Sequence, residues 1–291
     1  MRRDELEPVV PQSPVCVFGA GTMGHGIAQV AAMAGYETRL FDVDTDALED
    51  GIGAIRANLE KGVELEKVDP DVRDRALEAI RPTTDHRVAA RNAAVVVEAV
   101  PERLELKQDV LSAACEHAAG DAVLGSNTSS LSITELAAGV PAPDRVVGVH
   151  FFNPVHLMAL VEVVVGERTA RGVAARALGF AEELGKTPIL VEDSPGFASS
   201  RLGVALGLEA IRMLEEGVAS AEDIDRAMTL GYNHPMGPLE LTDLVGLDVR
   251  LEIARYLAEE LGERFRPPEL LERMVEEGRL GKKAGEGFYD W

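Results

Sequence analysis

The sequence predicts an α/β domain built on a doubly wound parallel sheet, followed by an all-helical domain. Short, continuously apolar segments alternate with helical patterns over the first two thirds of the chain, which is typical of a parallel sheet covered on both faces. A glycine-rich turn joins the first apolar segment to the first helical pattern. From Gly196 onward no confident strand is expected until the last few residues, so the architecture changes there.

Apolar runs and their polar boundaries place the elements of the first domain. Gly35 ends the first helix, as a glycine C-cap does, and Asp42 ends the second strand. A polar helical arm is expected over about 45–80, interrupted near Pro70. The predicted strands are 15–18, 38–41, 94–97, 122–124, 146–151, 160–165 and 188–191, and the other predicted helices are 22–34, about 103–118 and about 170–184.

The domain boundary is expected at Asp193-Ser194-Pro195-Gly196. The first domain then spans 13–193, including the helical arm, and the second spans 194–291. An apolar stripe at helical spacing opens the second domain, and it consists of Leu202, Leu206, Ala210, Met213 and Leu214. Further helices are expected near 221–230, 239–261 and 268–277.

Composition argues against several classes of protein. The 291-residue chain carries 50 acidic and 29 basic side chains, for a net charge of −21, which disfavours nonspecific nucleic-acid binding. No apolar run approaches the roughly 18 residues of a membrane span, and the first residues lack the apolar core of a secretory signal. Two cysteines, Cys16 and Cys115, are too few for a disulfide framework or a metal cluster. We therefore expect a cytoplasmic protein without a metal site.

The glycine-rich turn has the spacing Gly19-x-Gly21-x-x-Gly24 between a strand and a helix. In a Rossmann-type fold the first glycine permits the turn, the second lets the backbone approach a pyrophosphate, and the third lets the helix pack on the strand. Asp42 ends the next strand, where a carboxylate accepts hydrogen bonds from ribose hydroxyls and repels a 2′-phosphate. The next residue is Val43 rather than arginine, which favours NAD over NADP. FAD, which uses the same fingerprint, is the alternative ligand.

A histidine and a glutamate occupy neighbouring predicted strands. His150 ends one apolar strand, Glu162 interrupts the next, and the loop between them contains Pro154. A carboxylate beside an imidazole fixes its tautomer and stabilises its charged form, so such a pair can take a proton from a hydroxyl. A core histidine and a solvent-facing glutamate remain an equally good interpretation, because periodicity does not show which face is buried. His156 is a competing candidate without a matched acid.

Taken together, the motifs resemble those of a known enzyme family. In order, the chain contains GAGTMGHGIAQVAAMAGYETRLFDVD, VVEAVPERLELK, SNTSSLSIT, VVGVHFFNPVHLMALVEVV, DSPGF, NHPMGPLELTDLVGLD and GKKAGEGFYDW. This series is similar to the 3-hydroxyacyl-CoA dehydrogenases, in particular the bacterial 3-hydroxybutyryl-CoA type, and it covers nearly all of the chain. The resemblance implies an NAD-binding Rossmann-type domain, a C-terminal helical domain that carries dimer and substrate contacts, and oxidation of an (S)-3-hydroxyacyl-CoA or the reverse reduction, in fatty acid β-oxidation or butanoate metabolism.

The resemblance also implies roles for individual positions. His150 matches the catalytic base, Glu162 its carboxylate partner, and Ser129 the serine that hydrogen-bonds the substrate oxygen. Asn58 and Lys61 lie in the arm that receives CoA in relatives. Cofactor contacts are implied at the turn glycines and at Thr22, Met23, Asp42, Glu102, Lys107, Asn127, Asn153 and Lys283.

Two positions depart from the family pattern. The family has asparagine in PGFxxNR, where it helps polarise the substrate carbonyl, whereas this chain reads PGFASSR and places Ser200 there. A donor lost beside a developing alkoxide costs roughly 3–4 kcal/mol in the transition state, although serine still donates one hydrogen bond. Relatives often carry lysine or proline where this chain has Ala159.

Three functions stay open from the sequence. The first is an NAD-dependent 3-hydroxyacyl-CoA dehydrogenase, which the helical arm favours because it is long enough to cover a CoA tail. The second is a related 3-hydroxy-acid dehydrogenase that acts on a free acid. The third is an NAD-binding protein without turnover, which the Ser200 change allows and the His150–Glu162 pair opposes. A homodimer built on the C-terminal helices is also expected.

Overall fold

The computed structural model describes residues 13–291. The chain divides into two compact units, one ending at Ser194 and the other running from Pro195 to Trp291.

The first unit is built on one eight-stranded sheet with the order β3-β2-β1-β4-β5-β6-β7-β8. All neighbouring strands are parallel except β6 and β7, which are antiparallel. The strands are β1 (Val15–Phe18), β2 (Thr38–Phe41), β3 (Ile80–Thr83), β4 (Val95–Glu98), β5 (Val123–Ser126), β6 (Val146–Phe151), β7 (Leu160–Val165) and β8 (Thr187–Glu192). The strand order reverses between β1 and β4, and the carboxyl ends of the strands at such a point form the usual ligand crevice.

Within the described residues, seven α-helices accompany this sheet. They are α1 (Thr22–Met33), α2 (Thr45–Glu64), α3 (Pro70–Ala79), α4 (His86–Ala90), α5 (Leu104–Cys115), α6 (Ile133–Ala138) and α7 (Arg171–Glu183). Every residue of β1, β4, β5 and β6 is buried, which explains why these strands are mainly apolar rather than alternating between apolar and polar residues. The predicted fold class is confirmed.

The edge strand β3 was not expected from the sequence. The predicted helical arm ran to Ile80, but the chain leaves the helix there and pairs with β2, with Ile80 opposite Thr38 and Thr83 opposite Phe41. Only Ile80 of this strand is buried, and Pro82 lacks the N–H that a central strand would need. An edge strand with a single buried residue has no apolar run, so the sequence gives no pattern from which to predict it. The strand predicted at 122–124 is also shifted, since β5 runs from Val123 to Ser126.

The second unit consists of five α-helices around its own apolar core within the described residues. They are α8 (Ser199–Glu215), α9 (Ala221–Gly231), α10 (Pro238–Val245), α11 (Leu247–Leu261) and α12 (Glu269–Glu276). The prediction of a single helix over 239–261 is therefore wrong, because two helices cover this range. Gly246 adopts φ 101°, which only glycine tolerates easily, and it separates α10 from α11. The core residues include Val204, Leu208, Ile211, Ile224, Leu239, Leu247, Leu251, Leu257, Phe265, Leu271 and Met274.

A buried carboxylate organises the last residues of this unit. Asp243 on α10 is fully buried and accepts hydrogen bonds from the backbone N–H groups of Phe288 and Tyr289 and from the indole of Trp291, each at 2.9 Å. Three donors satisfy a charge that would otherwise be costly to bury. Over the described part of the chain, none of the helices is both long and apolar enough to span a membrane.

Candidate active site

A cavity of about 360 Å³ opens at the carboxyl ends of the central strands. It brings together side chains from α1, from the segments after β4 and β5, and from the end of β6. Seven residues predicted from the sequence line it, namely Met23, Glu102, Lys107, Asn127, Ser129, His150 and Asn153. The remaining lining residues are Ala99, Val100, Phe151 and Phe152. The cavity lies at the reversal of strand order, where a Rossmann-type sheet binds its ligands.

The histidine and the glutamate of the predicted pair face each other across the antiparallel strands β6 and β7. His150 stands directly opposite Glu162 in the register, and its Nδ1 lies 2.8 Å from Oε2 of the carboxylate. Both side chains are buried, and the His150 ring packs on Phe152 with ring centroids 4.5 Å apart. Because the carboxylate holds Nδ1, Nε2 is the ring nitrogen that can exchange a proton with a ligand.

The three glycines of the turn are required for different reasons. Gly19 has φ +98°, and a β-carbon there would lie 2.6 Å from the carbonyl oxygen of Ala99. A β-carbon on Gly24 would lie 1.7 Å from the carbonyl oxygen of Gly19, so only glycine lets α1 approach the turn. At Gly21, by contrast, a β-carbon would meet no atom within 4 Å. This open space lies at the N-cap of α1, which no side chain caps, and it fits a bound pyrophosphate.

The carboxylate of Asp42 is fixed beside this turn. Its Oδ2 accepts a hydrogen bond from the backbone N–H of Ala20 at 2.8 Å, and its Oδ1 accepts one from Asp44 at 3.1 Å. Each carboxylate oxygen has a second lone pair, so the group can still accept from ribose hydroxyls. The Val43 side chain is 84 % exposed and offers no positive charge for a phosphate. The residues present therefore fit a dinucleotide with an unmodified adenosine ribose.

A buried ionic network, which sequence reasoning missed, lies behind the cavity. Glu98 ends β4, and its carboxylate accepts hydrogen bonds from Lys107 Nζ at 2.8 Å, from the Ser126 hydroxyl at 2.6 Å and from the Val100 N–H at 2.7 Å. Burial raises the pKa of Glu98, against the opposing effects of the Lys107 charge and these hydrogen bonds. The signal in the sequence is a glutamate at the end of a purely apolar strand, with a lysine nine residues later.

Lys107 is only 1 % exposed, and its ammonium group is fully engaged. Besides Glu98, it donates to the carbonyl oxygen of Val100 at 3.1 Å and pairs with Glu102 at 3.1 Å. An ammonium group has three protons, and these three partners account for them. Lys107 therefore influences the cavity mainly by fixing the positions of Glu102 and the Val100 carbonyl.

Glu102 fixes the turn that follows β5. Its Oε1 accepts hydrogen bonds from the Thr128 hydroxyl at 2.5 Å and from the backbone N–H groups of Ser129 at 3.1 Å and Ser130 at 3.3 Å. Burial acts to raise the pKa of Glu102, but the Lys107 charge and these hydrogen bonds outweigh it and lower the pKa. A carboxylate that stays ionised here orders the turn bearing Ser129. Asn127 is fixed as well, because its side-chain oxygen accepts from the Phe151 N–H at 2.8 Å.

The other sequence-predicted residues do not line this cavity. Thr22 is exposed on the first turn of α1. On α2, Asn58 donates to the Gln29 side chain at 3.2 Å, and Lys61 pairs with Glu64 at 3.1 Å. Two more belong to the second unit: half-buried Ser200 in the first turn of α8, and Lys283, whose ammonium lies 2.5 Å from Oδ1 of Asp248.

The two units correspond to two known protein domains. Residues 14–194 match the domain described as "3-hydroxyacyl-CoA dehydrogenase, NAD binding domain", and residues 196–291 match the one described as "3-hydroxyacyl-CoA dehydrogenase, C-terminal domain". The chain belongs to the 3-hydroxyacyl-CoA dehydrogenase family. It is accordingly an oxidoreductase, and its first unit is the NAD-binding domain of that family.

Named relatives of the 3-hydroxyacyl-CoA dehydrogenase family align over almost the whole chain. A probable 3-hydroxybutyryl-CoA dehydrogenase of Bacillus subtilis is 43% identical over 282 residues, which cover 95% of this chain and 96% of the relative. A 3-hydroxybutyryl-CoA dehydrogenase of Mycobacterium tuberculosis is 45% identical, with coverage of 95% and 98%. The crystal structure of an (S)-3-hydroxybutyryl-CoA dehydrogenase from Ralstonia eutropha superposes with a TM-score of 0.92 at 38% identity, covering 96% of this chain and 99% of that one.

Proposed function

We propose that the chain catalyses the NAD-dependent oxidation of (S)-3-hydroxyacyl-CoA to 3-ketoacyl-CoA and the reverse reduction, with 3-hydroxybutyryl-CoA as the reference substrate. The observation that carries this proposal is the buried His150–Glu162 pair, held at 2.8 Å and placed on the cavity at the carboxyl ends of the strands. A general base oriented by a carboxylate is what removal of a proton from a secondary alcohol requires.

In the oxidative direction, Nε2 of His150 takes the proton of the C3 hydroxyl while hydride leaves C3. NAD supplies the hydride acceptor when it is bound. Glu162 stabilises the imidazolium that forms, and in the reductive direction the same imidazolium returns the proton to the C3 oxygen. Ser129 donates a hydrogen bond to that oxygen from the turn that Glu102 orders. The alcohol thus loses one proton, to His150, and one hydride, to the cofactor.

Ser200 is proposed to act on the substrate carbonyl from the first turn of α8. Serine donates a single hydrogen bond and is shorter than the asparagine that the family carries at this position. The polarisation that it supplies is therefore weaker, or passes through a water molecule. This change affects the rate and the choice of substrate more than the type of reaction.

We propose cofactor contacts for the open N-cap of α1 and its neighbours Thr22 and Met23, and for Asp42, Asn127, Asn153 and Lys283. Glu102 is proposed to contact the cofactor directly because part of its side chain is exposed. Lys107 is proposed to act through Glu102 and the Val100 carbonyl rather than by direct contact, since its three protons are engaged. Asn58 and Lys61 are proposed to meet CoA on the arm that begins with α2.

A single assay tests this proposal and its alternatives. The rate of reduced-cofactor oxidation is measured with acetoacetyl-CoA and with free acetoacetate, each in the presence of NADH and of NADPH. We expect turnover of the thioester with NADH and much lower kcat/KM with NADPH, because Asp42 repels a 2′-phosphate that no arginine receives. Preference for free acetoacetate would support a 3-hydroxy-acid dehydrogenase that acts on a free acid. Absence of turnover with either substrate would support an NAD-binding protein without turnover. Equal or better use of NADPH would overturn the cofactor assignment.

We also propose that the second unit carries a homodimer interface. Its surface exposes several large apolar side chains, namely Leu202, Val218, Leu230, Tyr232, Leu241, Leu244, Val245, Val249 and Trp291. A second copy that packs on this unit would bury such side chains, and a helical unit of this size has a limited core of its own. Light scattering at micromolar concentration is expected to give twice the chain mass of 31.2 kDa. The mass of a single chain would refute the proposal.

A further inference from the structure

The loop between β6 and β7 contains a compact turn that packs on α1. Val155, in the middle of this loop, is only 2 % exposed, and a β-carbon built on Gly26 of α1 would lie 2.9 Å from the β-carbon of Val155. The carbonyl oxygen of Pro154 accepts hydrogen bonds from the N–H groups of Leu157 and Met158, each at 3.0 Å. The turn therefore presents its remaining carbonyl oxygens at defined positions.

Lys186 connects this loop to the start of β8. It stands in the segment between α7 and β8, and its ammonium group donates to the carbonyl oxygens of Val155 at 2.5 Å and Met158 at 2.9 Å. The N–H of the next residue, Thr187, donates to the carbonyl oxygen of Ala159 at 2.7 Å, where β8 joins β7. Three hydrogen bonds thus hold the second half of the loop against this strand.

The hydrogen bonds of Lys186 have a physical reason. The side chain is half-buried, and burial lowers its pKa. An ammonium group withdrawn from water needs other partners, and hydrogen bonds from a charged donor are stronger than those between neutral groups. Both acceptors are main-chain oxygens, so the contact depends on the backbone path of the loop and not on the side chains of the loop.

The same loop carries two residues of the candidate active site. Phe152 and Asn153 line the cavity, and the Phe152 ring packs on the His150 ring with centroids 4.5 Å apart. Val155, whose carbonyl oxygen Lys186 holds, follows Asn153 by two residues. Lys186 does not line the cavity, so any effect on the reaction passes through the loop.

We propose that Lys186 is a positioning residue for the reaction, because it fixes the loop that keeps Phe152 and Asn153 in place beside His150. This inference rests on the proposed function, in which Asn153 contacts the cofactor and His150 transfers the proton. A misplacement of about 1 Å can lower a rate by roughly 10²-fold. Loss of the ammonium group should therefore lower kcat more than it weakens binding of the dinucleotide, which the glycine turn and Asp42 are proposed to hold.

The test compares three variants of Lys186 with the wild type. Lys186→Met keeps the length without donors, Lys186→Gln keeps donors without the charge, and Lys186→Arg keeps both. With acetoacetyl-CoA and NADH, we expect kcat to fall by roughly 10- to 100-fold in Lys186→Met, by less in Lys186→Gln, and by at most about threefold in Lys186→Arg. Fluorescence titration should give an unchanged number of NADH sites per chain and a nearly unchanged Kd.

Arg176→Met is the matched control, because Arg176 lies on α7 and also donates to a main-chain carbonyl, that of Asp121 before β5. It should leave kcat unchanged. A kcat of Lys186→Met equal to that of the control would overturn the inference. A loss that Lys186→Arg does not restore would also overturn it. So would a loss matched by fewer NADH sites per chain, which is the result of a merely structural role.

Two further outcomes are decisive. If Lys186→Met does not fold, the comparison of Lys186→Gln with Lys186→Arg decides in the same way, and equal kcat values for these two would overturn the inference. A wild-type enzyme that does not turn over acetoacetyl-CoA would overturn the proposed function, and this inference with it. An active wild type with an unimpaired Lys186→Met would overturn the inference alone.

Discussion

His150→Gln is expected to lower kcat by about 10²–10⁴-fold, the usual contribution of a positioned general acid–base group. Glutamine keeps a polar side chain of similar reach but cannot carry a proton to or from the C3 oxygen. Because His150 lies at the end of β6 and the glycine turn follows β1, the affinity for NADH should stay nearly unchanged. Steady-state kinetics with acetoacetyl-CoA and titration of NADH fluorescence measure the two effects separately.

Three further variants separate the loss of proton transfer from general structural damage. Glu162→Gln should reproduce part of the loss, and the double variant should fall short of the sum because the two side chains act as one unit. His156→Gln is the matched control, since this histidine lies in the loop after β6 and does not line the cavity. An enzyme with His150→Gln that retains more than about a third of the wild-type kcat would contradict the proposed role of His150.

Lys107→Met should destabilise the protein by about 3–5 kcal/mol, the usual cost of removing one partner from a buried ion pair. The substitution leaves the carboxylate of Glu98 buried with hydrogen bonds from Ser126 and Val100 but without its countercharge. The free energy of unfolding from urea titrations measures the effect. Adding Glu98→Gln to Lys107→Met should recover a large part of the loss, because a neutral amide replaces the unpaired charge.

The loss of stability in Lys107→Met should depend on pH. Burial already raises the pKa of Glu98 in the folded state, and removing the ammonium raises it further. A carboxyl group with a raised folded pKa binds more protons when folded than when unfolded. The stability of the variant should therefore decline as the pH rises from the ordinary pKa of glutamate to the raised value. We expect a smaller deficit at pH 5 than at pH 8. A deficit that is equal at both pH values, or no greater than that of the exposed control Lys67→Met, would contradict the assigned role of the pair.

The parts of the site that depend on local spacing could be predicted from the sequence. The glycine turn is defined by three positions within six residues, and the structure places it between β1 and α1. The His150–Glu162 pair was one of two equally good interpretations of the sequence, because a charged residue inside an apolar strand needs a partner but periodicity does not show which face is buried, and the structure places the two side chains opposite each other. The family resemblance is confirmed by both domain matches.

The parts that depend on three-dimensional burial could not be predicted. The sequence analysis has Lys107 only as an implied cofactor contact, and only the packing of α5 behind β4 shows that it neutralises Glu98 in the interior. Lys186 follows an ordinary amphipathic helix, and its contact with the loop after β6 depends on the pairing of β8 with β7. The break at Gly246 was missed because apolar periodicity continues across it.

The antiparallel register of β6 and β7 has a consequence for how this enzyme can diverge. Both members of the proposed proton-transfer pair stand within strands, directly opposite each other, whereas the loop between the strands supplies Phe152 and Asn153 to the cavity wall. A surface loop tolerates insertions and substitutions at little cost, but a one-residue slip of the strands would exchange Glu162 for a valine. Substitutions can therefore change the loop, and with it the cavity wall, while the hydrogen-bond ladder of the sheet keeps His150 opposite Glu162.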